Sequence, residues 1–167
     1  MGCVLSGSEM PDLSVIKGVG FLSALSDEEL RVLLSGARRT RFTKDQHVLA
    51  QGHRNASLFV VLAGVLHAVR AGGSKQVFLG RLEPGSFFGE LSLFDPGPTA
   101  AAVHGLEDGE LLEISCEYLD EFIATHPVAG IAILRGILRE VAHRLRRADE
   151  RLADAVVWGG LAPVRRV

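Results

Sequence analysis

The middle of the chain, from Phe42 to Ile114, is divided by glycine and proline into short segments rich in valine, leucine and phenylalanine. Three examples are LFVVLAG at 58–64, VLHAVR at 65–70 and QVFLGRL at 76–82. Between the last two, Gly72-Gly73 predicts a two-residue hairpin turn, because both central positions of a type I′ turn need positive φ. Several short strands at this spacing predict an antiparallel roll or barrel.

Helical signals flank this β-rich middle. Ser26 and Glu29 have the spacing of a capping box and precede apolar positions that begin at Leu30, so a helix is predicted to start there. After Ile114, Ser115 can cap a short helix that ends at about Ala124.

Pro127 then marks the start of a long helix whose apolar series continues to Val156. The predicted fold class is therefore α+β, mainly β. It is an antiparallel β-roll or jelly roll with a flanking N-terminal helix and a long C-terminal helix.

Length and composition predict one soluble domain. The chain has 167 residues, of which 47% are hydrophobic and 23% charged, and this suffices for a single core. The formal net charge of -2 gives no overall attraction to nucleic acid or to an anionic membrane. Two cysteines without metal-ligand spacing favour a reducing, cytoplasmic setting. The sequence shows neither a secretory signal nor an apolar run that could span a bilayer, so membrane association is not expected.

The two ends of the chain are expected to be flexible, at residues 1–14 and 157–167. The domain between them is expected at 15–156, with the roll at about 38–114 and the C-terminal helices at about 115–156. The first six residues, MGCVLS, match the N-myristoylation pattern, and Cys3 could carry a second acyl chain. Because this motif is short and frequent by chance, membrane anchoring is not the expectation.

The segment FFGELSLFDPGPTAAAV, from Phe87 to Val103, begins like a loop that holds a phosphate. Residues 89–93 could form a single helical turn whose free N–H groups point at an anion. Glycine at position 89 would let an anion approach the backbone.

This segment resembles the phosphate-binding cassette of the cyclic-nucleotide-binding domain family, whose usual form is F-G-E-(L/I/M)-(A/S)-L followed by P-R-x-A-T-V. The resemblance extends to Gly52, to LFVVLAG, to GVGFLSALSDEEL upstream and to the helices after Ile114, and so covers roughly residues 15 to 155. It implies a β-roll that binds the cyclic phosphate and ribose of cAMP or cGMP. By the family's pattern, Glu90 would accept a hydrogen bond from the ribose 2′-hydroxyl, and the N–H groups near Gly89 and Leu91 would meet the phosphate.

The match departs from the family's pattern at two polar positions. The family's phosphate arginine falls on Thr99, and the threonine that often contacts the nucleotide falls on Ala102. Loss of a charge-assisted hydrogen bond removes about 1.5–3 kcal/mol, which is on the order of ten- to more than a hundredfold in affinity. We therefore expect weak binding of cAMP or cGMP, or none. The candidate ligand-binding residues are Phe88, Gly89, Glu90, Leu91, Ser92, Pro98, Thr99 and Ala100.

The alternative is a genuine nucleotide sensor in which another residue supplies the missing charge. The candidates lie in the β-rich middle, and strand register cannot be derived from one sequence well enough to aim any of them at the pocket. They are Arg54, Arg70, Arg81, His67 and His104.

An enzymatic function is not expected. Jelly-roll barrels include metal-binding enzymes, but the histidines at 47, 53, 67 and 104 are scattered and form no H-x-H pair. Neither a nucleophile elbow nor a P-loop nor zinc-type spacing occurs in the sequence. The prediction is a non-enzyme with no metal site.

DNA is not expected as a partner either. Related activators join this sensor domain to a helix-turn-helix reader, and residues 157–167 are too few to form one. The arginines at 144, 146, 147 and 151 are interpreted as the solvated face of a helix, paired with Asp149, Glu150 and Asp154.

The long helix carries a stripe that predicts a dimer. Spacings along it alternate between four and three residues, which is the 3.5-residue repeat of a coiled-coil seam. In its first turns Ile131, Ile133 and Ile137 broaden the apolar face, and these turns are expected to pack on the roll. We expect a parallel homodimer of a stand-alone regulatory domain that acts through a protein partner. The seam consists of Leu134, Leu138, Val141, Leu145, Ala148, Leu152 and Ala155.

Overall fold

The computed structural model describes residues 16–73 and 75–158. The predicted flexible N-terminus at 1–14, with its acylation motif, and residues 159–167 of the predicted tail lie outside the described residues. Val157 and Trp158, which were predicted to belong to the tail, are the last two residues of the long helix. Within the described part of the chain, none of the helices has the length and apolar character needed to cross a bilayer.

Two four-stranded antiparallel sheets and the four helices bounded below make up most of the described fold, and the predicted class is confirmed. One sheet, sheet A, has the strand order β1-β8-β3-β6, and the other, sheet B, has the order β2-β7-β4-β5. The strands are β1 Arg38–Phe42, β2 His47–Leu49, β3 Ser57–Ala63, β4 Leu66–Gly72, β5 Lys75–Leu82, β6 Phe87–Phe88, β7 Ala102–Gly105 and β8 Gly109–Ser115. The helices are α1 Asp27–Ser35, α2 Leu91–Phe94, α3 Cys116–Thr125 and α4 Pro127–Trp158.

The helix caps predicted from the sequence are present in the structure. Ser26 caps α1, and both hydrogen bonds of its capping box with Glu29 are present. Ser115 caps α3 by accepting a hydrogen bond from the Tyr118 N–H. The predicted hairpin joins β4 to β5, but Gly72 is paired with Lys75, so the chain reverses one residue later than predicted.

Side chains on a strand alternate between its two faces, and those of sheet A pack into a separate apolar layer on each side of the sheet. Val61 on β3 packs inside the roll with Val103 of sheet B. Its neighbour Val60 packs on the other face, in a core formed by residues 16–34, α3 and α4. On β6 the two phenylalanines divide in the same way, with Phe88 inside the roll and Phe87 on the helical side.

The first turns of α4 anchor this helix to the domain. Ile133 and Ile137 are fully buried. A Cβ at Gly136 would lie 2.5 Å from the Cα of Phe21, so the helix can approach the 16–25 segment only with glycine there. The prediction that Ile131 also packs on the roll is wrong, because this residue is 57% exposed.

Candidate functional site

The cassette segment leaves sheet A at β6 and turns immediately into α2. The helical turn predicted for residues 89–93 forms at Leu91–Phe94, and the Ser92 and Leu93 N–H groups donate to the carbonyls of Gly89 and Glu90. Of the predicted site residues here, Phe88 stacks on Phe59 inside the roll, with ring centroids 5.0 Å apart. Leu91 is 52% exposed. The structure therefore does not bring these two side chains to one place.

Gly89 is required by the fold itself. Its φ is +85°, and a Cβ there would lie 2.5 Å from the carbonyl oxygen of Ser57 on β3. The side chain of Asn55 closes the same space and donates to the Ser57 carbonyl at 2.6 Å and to Ser92 Oγ at 3.3 Å. A larger residue at position 89 would have to displace β3, so packing is sufficient to explain glycine here.

Thr99 is tied to the loop between β2 and β3. Its hydroxyl donates to the Ala50 carbonyl at 2.5 Å, and its N–H donates to the His53 carbonyl at 2.9 Å. Its own carbonyl accepts from the Gly52 N–H at 2.9 Å. The polar groups of this half-buried residue are therefore used inside the protein. The two predicted site residues beside it, Pro98 and Ala100, are exposed.

Glu90 is buried and bound to an arginine of α4. The residue is 7% exposed, and its Oε1 accepts from Nη1 of Arg144 at 3.0 Å. Arg144 also donates from Nη2 to the Phe87 carbonyl at 2.6 Å, and its Cζ lies 5.0 Å from the centroid of the Phe87 ring. A third bond joins Arg144 Nε to Glu140 at 3.2 Å. The carboxylate that would face a ribose is thus paired with the positive charge of Arg144 on the long helix.

Sequence reasoning missed Arg144, and the reading of it as part of a solvated face is wrong. Its partners are Glu90, Glu140 and Phe87 rather than an acid further along the helix, and its side chain is 31% exposed. A signal was present, since Arg144 lies seven residues after the buried Ile137 and therefore on the same helical face.

Two further arginines of that predicted face also have other partners. Arg147 pairs with Glu140 at 3.3 Å, and Arg151 donates to the Leu79 carbonyl of β5 at 2.8 Å. Arginine side chains on this face of α4 therefore contact the roll at two levels, β6 through Arg144 and β5 through Arg151.

The predicted seam is largely uncovered in the single chain. Leu138, Leu145 and Leu152 are 65%, 60% and 64% exposed. They recur every seven residues and so lie along one line of the helix. Leu134 and Val141 are half-buried, and Val141 packs against the core. The leucine line is therefore exposed along the whole helix, whereas the alternate seam positions change from half-buried at Leu134 and Val141 to exposed at Ala148 and Ala155.

Among the cations that sequence reasoning considered as substitutes, Arg54 lies next to the cassette, whereas Arg70 lies on β4 opposite Val77 of β5. The backbone of Arg54 forms an antiparallel bridge with Pro98, the residue before Thr99. Arg81 lies on β5, where it pairs with Glu83 at 3.7 Å. His67 and His104 lie in sheet B.

Three histidines that are distant in sequence form a row across sheet B. His47, His104 and His67 are cross-strand neighbours on β2, β7 and β4. The ring centroids are 4.1 Å apart for His47 and His104, and 5.4 Å apart for His67 and His104. Among the described residues, no group of three or more histidine, cysteine or acidic side chains is arranged to hold a metal ion.

The histidine row should make the fold sensitive to mild acid. Burial, and then the charges of His47 and His67, lower the pKa of His104 below its ordinary value of 6.5. The unfolded chain therefore binds the proton more readily, and the stability that His104 contributes above pH 6.5 is lost as pH falls through the depressed pKa. The glutamates whose pKa is lowered, such as Glu110, change the stability only below their ordinary pKa of 4.5. This lies below the pH range in which His104 loses its contribution.

The measurement is the melting temperature between pH 7.5 and pH 5. His104→Gln should flatten its decline, whereas His143→Gln, at an exposed position of α4, should leave the decline as it is. An unchanged slope in the His104 variant would contradict the prediction.

Comparison with known proteins gives a consistent result. A family model described as the cyclic nucleotide-binding domain matches residues 39–126. The cyclic AMP receptor protein of Thermus thermophilus is 30% identical over 80% of this chain and 61% of its own length. A CRP-like cAMP-activated global transcriptional regulator of Mycobacterium tuberculosis is 27% identical over 85% of this chain and 62% of its own. The crystal structure of the Thermus thermophilus catabolite activator protein superposes with a TM-score of 0.71 at 30% identity, and the match covers 80% of this chain and 62% of that one.

The prediction that DNA is not a partner is wrong, because curated relatives are transcriptional regulators. It rested on how few residues follow α4. The chain spans 61% and 62% of the length of the two curated relatives, so its last residues carry no argument about DNA. These relatives are regulators and not enzymes.

Proposed function

The chain belongs to the cyclic nucleotide-binding domain family, and from this premise we propose a regulatory domain whose cassette binds cAMP or cGMP weakly or not at all. The domain acts as a dimer, through a protein partner. The observation that carries the proposal is Thr99, which stands where the family's pattern has the phosphate arginine and whose hydroxyl is already bonded to Ala50.

A second feature of the cassette supports weak binding. A ligand hydroxyl that donates to Oε1 of Glu90 has to displace Arg144, whose bond to this oxygen is charge-assisted and 3.0 Å long. Such bonds are about twice as strong as neutral ones. Exchange of this bond for a neutral hydroxyl donor loses free energy unless the ligand makes contacts elsewhere.

One observation favours the alternative, a genuine sensor with a rearranged pocket. Arg144 brings a guanidinium within 3.0 Å of the cassette glutamate, and this cation could serve a ligand phosphate in place of an arginine at position 99. The relatives named above are described as a cyclic AMP receptor and a cAMP-activated regulator.

The dimer is supported by the exposed line on α4. Leucines that are 60% to 65% exposed are costly to leave in water, and burial of the part of one that remains exposed contributes about 1–2 kcal/mol. The seven-residue interval suits another helix with the same interval.

Calorimetric titration with a panel of cyclic mono- and dinucleotides tests the proposal. We expect little heat and little rise in melting temperature with cAMP or cGMP, even at millimolar concentration. Binding in the micromolar range would contradict the proposal that the cassette binds these nucleotides weakly or not at all. In that event Glu90→Ala should abolish most of the binding, and Arg144→Gln should reduce it if the guanidinium serves the phosphate.

A further inference from the structure

Arg144 lies beside the predicted seam as well as beside the cassette. It comes one residue before Leu145, and Asp149 comes one residue after Ala148, so the two occupy the flanking g and e positions of successive heptads. In a parallel two-stranded coiled coil, a g residue faces the e residue that lies five positions later on the other helix. Asp149 of the partner subunit would therefore face Arg144.

The guanidinium has capacity for this contact. It has five N–H donors, and its bonds to Glu90, Phe87 and Glu140 use one on each nitrogen, which leaves two. The Arg144 side chain is 31% exposed, so one edge is open to solvent. Asp149 is exposed.

We propose that Arg144 bridges Glu90 of its own cassette to Asp149 of the partner subunit. This inference rests on the proposed parallel dimer. Arg144 then binds carboxylates of both subunits. The negative charge of Asp149 of the partner subunit therefore acts on the cassette. Linkage between two binding equilibria is reciprocal. Any group that binds the oxygens of Glu90 therefore changes the affinity of the dimer, and dimer formation changes the strength of the bond between Arg144 and Glu90.

The decisive variant is Asp149→Asn, with the dimer dissociation constant measured by sedimentation equilibrium. We expect a loss of roughly tenfold, since the symmetry of a homodimer removes two copies of the ion pair at once. The dissociation constant should also depend less on salt than that of the unmodified protein. Asp154→Asn is the matched control, because it makes the same change of charge at an exposed position that does not flank the seam.

A double-mutant cycle with Arg144→Gln tests the pair directly. Asp149→Asn should have no further effect in a protein that already carries Arg144→Gln. If Arg144→Gln fails to fold, the salt dependence of the Asp149→Asn dimer decides instead. An Asp149→Asn dimer as tight and as salt-dependent as the unmodified one overturns the bridge and leaves the proposed dimer standing. A monomeric unmodified chain overturns both.

Discussion

Replacement of Leu145 by glutamate should give a folded monomer. The side chain is 60% exposed in the single chain, so the substitution disturbs little of the domain's own core. In a dimer the same position lies at the centre of the seam, where two symmetry-related glutamates would bring like charges together and remove them from water. We expect light scattering at tens of micromolar to report half the mass of the unmodified protein, with an unchanged helical signal in circular dichroism.

Controls separate seam disruption from damage to the helix. Leu152→Glu, at a position 64% exposed, should behave in the same way. Ala153→Glu places the same charge on the exposed opposite face and should remain dimeric. An unmodified chain that is already a monomer at tens of micromolar removes the hypothesis. Loss of folding in both leucine variants favours packing of the stripe on the protein's own roll.

Thr99→Arg should create measurable binding of cAMP. An arginine here restores the charged, bidentate partner that the family's cassette has for the cyclic phosphate. The expected gain is about ten- to a hundredfold in affinity, from about 1.5–3 kcal/mol for a charge-assisted hydrogen bond. The variant loses the bond from the Thr99 hydroxyl to Ala50, so a stability loss of about 1 kcal/mol should accompany the gain.

Thr99→Gln is the matched control, since it adds length and loses the same hydroxyl without adding charge. Titration calorimetry should detect binding by the arginine variant and none by the glutamine variant. The addition of Glu90→Ala to the arginine variant should abolish the gain. A folded Thr99→Arg protein that binds no better than the original would show that position 99 is not what limits this pocket.

Sequence signals that act within one turn of the chain predicted the helix starts correctly. Ser26, Ser115 and Pro127 mark helix starts because caps and proline act within one turn of the chain. The candidate pocket was only partly predictable. The identity of Glu90 and Thr99 could be derived from the cassette pattern, but their hydrogen-bond partners could not.

The sequence by itself determined the class of fold, the starts of three helices and the departure from the cassette pattern at position 99, because each depends on residues a few positions apart. Only the tertiary structure decided that Glu90 meets Arg144 across 54 positions and that three histidines align across sheet B. It also revealed that Gly89 is needed for contact with β3. Such pairs depend on strand register and on where α4 crosses the roll. Both are set by the packing of whole faces, since a shift of one residue in a strand turns every side chain to the other side.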